Sequence, residues 1–254
     1  FNGAPIINNT LYKLQERIMA RWTDVFVTIN QEDFEAISKF KLKEKGKLYM
    51  IHGAGVTVDL ARVKNIDQRK KRAELGLTLD DYLIFSAGFL NKNKNQKVVI
   101  KAIGMNKINA HYIICGEGEQ KKKLMRMAKK YGIQNKVHFL GFRPDVLEIM
   151  SVSNLFIIPS FREGVPRVLL EAMWVGLPCI GSDTRGTREL IGKDGILCNP
   201  KSYESFAAAI SKTMSDSDFC KLTINNNKMK VIEYSAERVA KEVYSIYCDN
   251  IGHA

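Results

Sequence analysis

From Tyr82 to Ser182 the chain alternates short β-branched or aromatic runs with longer amphipathic segments. The runs YLIFSA (82–87), HYIIC (111–115), KVHFL (136–140), NLFII (154–158) and PCIGS (178–182) predict strands. Helical periodicity fills 95–105, 119–131, 144–151 and 166–175 between them. Strand, helix and strand at this spacing predict βαβ units in a doubly wound parallel sheet, an α/β fold. Several of the runs are apolar on both faces, as a sheet covered by helices on both sides requires. Helical patterns follow at 202–214, 216–232 and 235–248, with no strand pattern among them.

The first sixty residues read as a separate unit. TLYKLQERIMARW (10–22) has helical periodicity, DVFVTI (24–29) reads as a strand, EDFEAISKF (32–40) as a helix and KLYMI (47–51) as a strand. That is part of a second α/β layer, too small to bury its own core well. The expected division is therefore 1–61 as the remnant of one domain, 62–80 as a polar, basic linker and 81–234 as the sheet domain. Residues 235–254 form a C-terminal helix that can cross back to the first domain.

In open parallel sheets ligands lie at the carboxyl ends of the strands. The loops there are GFLNKNKNQ (88–96), GEGEQ (116–120), GFRPD (141–145) and PSFREGVP (159–166). In EGVPRVLLE (163–171), Pro166 is suited to the first position of a helix, where its missing N–H costs nothing. The amides of Gly164, Val165 and Arg167 are then available to an anion, and the helix dipole adds attraction. Gly164 lets a ligand approach the backbone closely. The helix is apolar nearly all round, so the ionised Glu171 inside it needs a partner. A protein group or a pair of ligand hydroxyls would serve, and residue types alone lean towards the protein group. Glu163 faces the same crevice as the amides. Lys94, at the mouth of the sheet opposite a helix N-terminus, suits a diphosphate, whereas Lys92 reads as part of a solvated turn. GEGE (116–119) is a weak fragment of a dinucleotide-binding turn.

Composition narrows the classes further. The chain has 254 residues and a formal charge of +12, concentrated in KFKLKEKGK (39–47), RKKR (69–72) and KKK (121–123). Such charge suits nucleic acid, an anionic membrane or a phosphorylated substrate. Phe40 is the single aromatic residue in these runs, short of the series of rings on which a single-strand binder stacks successive bases. The five cysteines and four histidines show no disulfide or metal-ligand spacing, so no metal is expected. No stretch approaches the apolar length of a membrane span, and the chain is expected in the cytoplasm. The P-loop, nucleophile-elbow and HExxH motifs are absent.

PSFREGVPRVLLEAMWVGLPCIGSD (159–183) resembles the E-x7-E region of the family 4 retaining glycosyltransferases, which have the GT-B fold of two Rossmann-like domains. AGFLNKNKNQ, CGEGEQKKKL and VHFLGFRPDVLEIMSVSNLFIIPS resemble the segments that precede it, in the same order. INQEDFEAISKF and IHGAGVTVDL are similar to the end of the family's N-terminal domain and the entry to the second. The likeness runs over essentially the whole chain and is closest to the bacterial capsule and exopolysaccharide type.

The resemblance implies that Glu163 contacts the donor sugar and Glu171 the nucleotide ribose, so that the partner of Glu171 is a ligand. It implies that Gly164, Val165 and Pro166 lie near sugar and phosphates, and that Gly88 and Lys94 belong to the diphosphate site. Gly141, Phe142 and Arg143 would lie beside the base. Glu163 and Lys94 are the expected catalytic residues, with no cofactor and no metal. Residues 81–234 become the donor-binding domain and 1–61 the remnant of an acceptor-side domain, N-terminally truncated, so that the chain alone is expected to be inactive. Phe89 stands where many members have an arginine, which places more of the diphosphate's charge on Lys94, with Lys92 or Arg162 beside it. The implied function is retaining transfer of a sugar from a nucleotide diphosphate sugar, UDP-linked, to a growing polysaccharide or lipid-linked glycan. Expected partners are that donor, the acceptor and a peripheral contact with the anionic inner face of the cell membrane, but no nucleic acid. The alternatives are a nucleotide-sugar-binding domain without turnover and a sugar-nucleotide epimerase or hydrolase of related fold.

Overall fold

A computed structural model describes residues 6–251 apart from 54, 193 and 194. The chain divides into two compact units, Phe1–Gly55 with Glu233–Ala254, and Val56–Ile232.

The first unit contains α1 (Ile6–Met19), β1 (Val25–Thr28), α2 (Gln31–Ile37) and β2 (Lys47–Met50). The two strands pair in parallel, with Val25 opposite Lys47. Asn30 caps α2 by accepting from the Asp33 amide at 2.9 Å, which satisfies one of the donors that a helix start leaves over. The final helix, Ala236–Ile251, belongs to this unit: its Glu242 takes the His52 amide at 3.0 Å and the His52 ring at 2.7 Å.

The second unit runs α3 (Ala61–Lys64), α4 (Gln68–Glu74), β3 (Leu83–Ala87), α5 (Gln96–Met105), β4 (His111–Cys115), α6 (Lys121–Lys130) and β5 (Val137–Gly141). It continues with α7 (Val146–Ser151), β6 (Leu155–Ile158), α8 (Arg167–Val175), β7 (Cys179–Ser182), α9 (Arg185–Ile191), β8 (Ile196–Cys198), α10 (Tyr203–Ser215) and α11 (Ser217–Val231), so the final helix is α12. The six strands form one parallel sheet in the order β5-β4-β3-β6-β7-β8. Leu83, Ile84, Phe85, Ile113, Ile114 and Ile157 are fully buried, as strands with helices on both faces demand. The α/β parallel-sheet expectation holds. The strand β8 has no counterpart in the sequence reading, because three residues, ILC, are too few to show a period.

The segment expected as a linker, 62–80, is folded into the second unit. Its helix α4 begins with Asp67 accepting from the Lys70 amide at 3.1 Å and carries Arg72, only 5% exposed. The Arg72 guanidinium donates to the carbonyls of Val152 (3.0 Å), Thr78 (3.0 Å), Leu79 (3.2 Å) and Asp81 (2.7 Å) and to Asn154 Oδ1 (2.8 Å). A run rich in lysine and arginine looks solvated by composition, yet one of its arginines fastens the turn before β3 to the turn before β6. Replacing Arg72 by Met strands those buried acceptors, and the expected loss is about 3 kcal/mol of stability. Urea unfolding of the variant against the parent chain measures it.

Candidate functional site

The chain builds β3, β4 and β5 outwards on one side of the sheet, then returns to lay β6, β7 and β8 on the other side of β3. The loops after β3 and β6 therefore leave the carboxyl edge on either side of a topological switch point, where such sheets open a crevice. Here the two loops are stitched together. The Phe161 amide donates to Asn93 O (2.8 Å), Asn93 Nδ2 to Arg162 O (3.0 Å), and Asn95 Nδ2 to Pro159 O (3.0 Å). Lys94 Nζ donates to Glu163 Oε1 at 2.8 Å, and both side chains are mostly buried. Lys94 and Glu163, sixty-nine apart in sequence, thus meet at one point.

The neighbouring loops tighten the same edge. Gly88 has φ +143°, and its amide donates to Cys115 O at 2.9 Å. A Cβ on Gly116 would lie 2.0 Å from the Gly88 carbonyl oxygen, so no side chain fits where these backbones cross. At Gly164, by contrast, a Cβ would meet no protein atom within 4 Å. Gly164 is held from below by α9, where a Cβ on Gly186 would stand 1.4 Å from the Gly164 oxygen. Gly186 escaped the sequence reading, since nothing in TRGTREL marks that approach.

Helix α8 begins one residue later than expected. Pro166 is its N-cap rather than its first residue: its ψ of 109° is extended, while its carbonyl accepts from the Leu169 amide at 3.0 Å. Proline has no polar side chain to offer, and the helix start has no side-chain cap. The first-turn amides are therefore those of Arg167 and Val168. The helix is also less enclosed than its composition implies. Leu169, Leu170, Ala172 and Met173 are buried, while Val168, Glu171, Trp174 and Val175 make a partly open face.

Glu171 lies on that open face. Burial raises its carboxyl pKa above the usual range, and Arg167, one turn earlier, offsets part of the rise. Among the described residues it has no hydrogen-bond or ion-pair partner, and the buried Trp174 Nε1, one turn further on, has none either. The protein group that residue types favoured for Glu171 is not found among these residues.

Phe142 and Arg143 leave β5 in opposite circumstances. Phe142 is 84% exposed. Arg143 grips Asp145 through Nε (2.7 Å) and Nη2 (2.6 Å), and Lys71 adds a third contact at 2.6 Å. These cations hold the Asp145 carboxyl well below the carboxylate range, so Arg143 is already committed to a protein partner. Phe89, beside Gly88, is 73% exposed, and Lys92 is exposed as its turn reading implied. Among the described residues, no group of three or more His, Cys, Asp or Glu is placed to hold a metal ion. Among the described residues, no helix is long and apolar enough to cross a membrane.

This geometry agrees with what comparison with known proteins finds. Residues 67–230 match the family of glycosyl transferases group 1, and the chain belongs to that family. A Bacillus subtilis relative bearing the glycosyltransferase name EpsD is 31% identical over 97% of this chain and 67% of its own length. The Escherichia coli UDP-Gal:alpha-D-GlcNAc-diphosphoundecaprenol alpha-1,3-galactosyltransferase is 26% identical over 95% of this chain and 64% of its own. The chain thus spans about two thirds of these relatives. Among solved structures, Anabaena Alr3699/HepE in complex with UDP and glucose superposes with a TM-score of 0.81 at 20% identity, over 94% of this chain and 67% of that one. The fold is that of the GT-B glycosyltransferases.

Two outcomes follow from the packing and charge. Gly186→Ala should displace the Gly164 loop and cost about 1–3 kcal/mol of stability, read by thermal or urea unfolding. Glu171→Gln should stabilise the chain at neutral pH. A carboxyl raised on folding disfavours the folded state above its folded pKa and has no such effect below its unfolded one. The advantage of Gln should therefore shrink as pH falls through the carboxylate range, and unfolding midpoints at several pH values measure this.

Proposed function

We propose that the crevice at the switch point binds a nucleotide diphosphate sugar, UDP-linked, and that the glycosyltransferase transfers its sugar with retention to a glycan or lipid-linked acceptor. The observation that carries this reading is Glu171, a half-buried carboxylate with no hydrogen-bond or ion-pair partner among the described residues, one turn into a helix whose start has no side-chain cap. Two ribose hydroxyls donating to Glu171 supply the missing partners. The diphosphate lies between Lys94 and the first-turn amides of α8, where the helix dipole and the ammonium meet its charge. Gly164, Val165 and Pro166 shape the approach to the sugar, whose hydroxyls Glu163 accepts. Gly88 keeps the opposite wall low enough for the diphosphate to reach Lys94. Phe142 offers an exposed ring for the base to stack on, while Arg143 shapes that loop through Asp145.

As the anomeric bond lengthens, negative charge grows on the leaving diphosphate. Lys94 and the α8 amides are fixed donors aimed at that charge, so their contribution is larger in the transition state than in the ground state. Glu163 serves both parts of this arrangement, orienting the Lys94 ammonium at 2.8 Å and presenting a carboxylate to the sugar. With these cationic elements in place, no metal need bridge the phosphates. The names of two relatives, the Escherichia coli diphosphoundecaprenol galactosyltransferase and a Campylobacter jejuni N-acetylgalactosaminyltransferase acting on a diphospho-undecaprenol glycan, support a lipid-linked acceptor. An acceptor of that kind brings a basic protein to the anionic inner face of the membrane.

Calorimetric titration of the chain with UDP, GDP and ADP tests the donor site. UDP should bind in preference, and Glu171→Ala should weaken it by about tenfold or more. Binding of UDP undiminished by that substitution, or no binding of any nucleotide to the folded chain, contradicts the reading.

A further inference from the structure

A second cavity, of about 340 Å³, lies outside the residues assigned to the donor, between the start of α5, the loop after β6 and the start of α10. Its walls carry Lys97, Lys101 and Lys201, the rings of Phe161 and Tyr203, and Asn95. The ammonium of Lys101 stands 3.9 Å from the centre of the Tyr203 ring, and that of Lys97 5.8 Å from the centre of the Phe161 ring. These lysines make their contacts with aromatic faces, and neither has a carboxylate at ion-pair distance among the described residues. The carboxylate beside Lys101 is Glu204, which accepts from the Ser202 hydroxyl at 2.8 Å.

Asn95 adds a directional element. It is 2% exposed, and its Nδ2 donates to Pro159 O at 3.0 Å and Pro200 O at 2.8 Å. The two carbonyls fix which way the amide points, because only the nitrogen can donate to them. Its Oδ1 is consequently an acceptor, buried and without a partner among the described residues. Such an atom calls for a hydroxyl or amide donor.

Three lysines that favour an anion, two aromatic rings that offer flat apolar surface and one acceptor that needs a hydroxyl describe a single class of small molecule. We propose that this cavity binds a phosphorylated sugar or polyol, with its phosphate among Lys97, Lys101 and Lys201, its C–H face on Tyr203 or Phe161, and a hydroxyl donating to Asn95 Oδ1. The proposal does not depend on the donor reading of Glu171. The cavity does share the two stitched loops with the crevice: Asn95 follows Lys94 directly, and Phe161 stands two residues before Glu163. A ligand here touches the loops that carry both groups.

The test is calorimetry of the chain with glucose 6-phosphate, glucose and inorganic phosphate, on the parent, Lys97→Glu/Lys101→Glu, the milder Lys97→Gln/Lys101→Gln, and Lys94→Ala. Glucose 6-phosphate should bind the parent at least about tenfold more tightly than glucose or inorganic phosphate. The Gln pair should weaken it by about tenfold and the Glu pair by more, with unfolding midpoints showing that both remain folded. Lys94→Ala, which removes an ammonium held by Glu163 outside the cavity lining, should weaken it less than either lysine pair. Absence of glucose 6-phosphate binding, equal binding of inorganic phosphate, indifference to both lysine pairs, or a loss in Lys94→Ala as large as in them would each overturn the proposal.

Discussion

The second unit depends on one reversal, the return of the chain from β5 at one edge of the sheet to β6 beside β3. Neighbouring strands in a parallel sheet need crossovers that pack helices on the faces, and here the crossovers run away from β3 in both directions. Two loops then share one gap. Their backbones and amide side chains are held by the Asn93, Asn95 and Phe161 hydrogen bonds, which convert two flexible connections into one wall. The Lys94–Glu163 pair exists because of that wall. So does the placement of the α8 start, since Glu163 and the N-cap Pro166 are separated by only Gly164 and Val165.

Charge at this edge is handled in two ways. Asp145 is surrounded by Arg143 and Lys71, and its carboxyl is held ionised far below neutral pH. That is a closed, structural arrangement. Glu171 is the opposite case, partly removed from water, raised by burial and without a bonded protein partner among the described residues. A structural carboxylate of the first kind lowers the energy of the folded chain, whereas one of the second kind is tolerated at a cost that a ligand's hydroxyls can offset. The contrast separates Arg143, whose charge serves its own loop through Asp145, from Lys94, whose carboxylate partner among the described residues is Glu163 on the facing loop.

Much of this was legible in the chain. Period and β-branching located five strands of the six-stranded sheet within a residue or so, because each is a run of several apolar residues bounded by glycine, proline or amide residues. The strand β8 escaped because ILC is too short, and α9 because RGTRELI mixes charge with glycine. The basic stretch around Arg72 was misread as a linker, since composition cannot tell a solvated arginine from one surrounded by carbonyls. Glu163 and Lys94 were visible as charges in the loops that follow strands, and Glu171 as a carboxylate inside an apolar helix. Their meeting was not, because it rests on strand order and on Asn93 and Asn95, whose side chains bond to a segment more than sixty residues away.

Nitrogen-15 spectra of the chain titrated with UDP would show directly whether the switch point is the binding site. The shared wall predicts saturable shifts in the amides of Gly88–Asn95, Gly164, Val165, Arg167, Val168 and Glu171, moving together with one dissociation constant. Shifts confined to the opposite edge of the sheet, around His111 and His138 at the amino ends of β4 and β5, would contradict it.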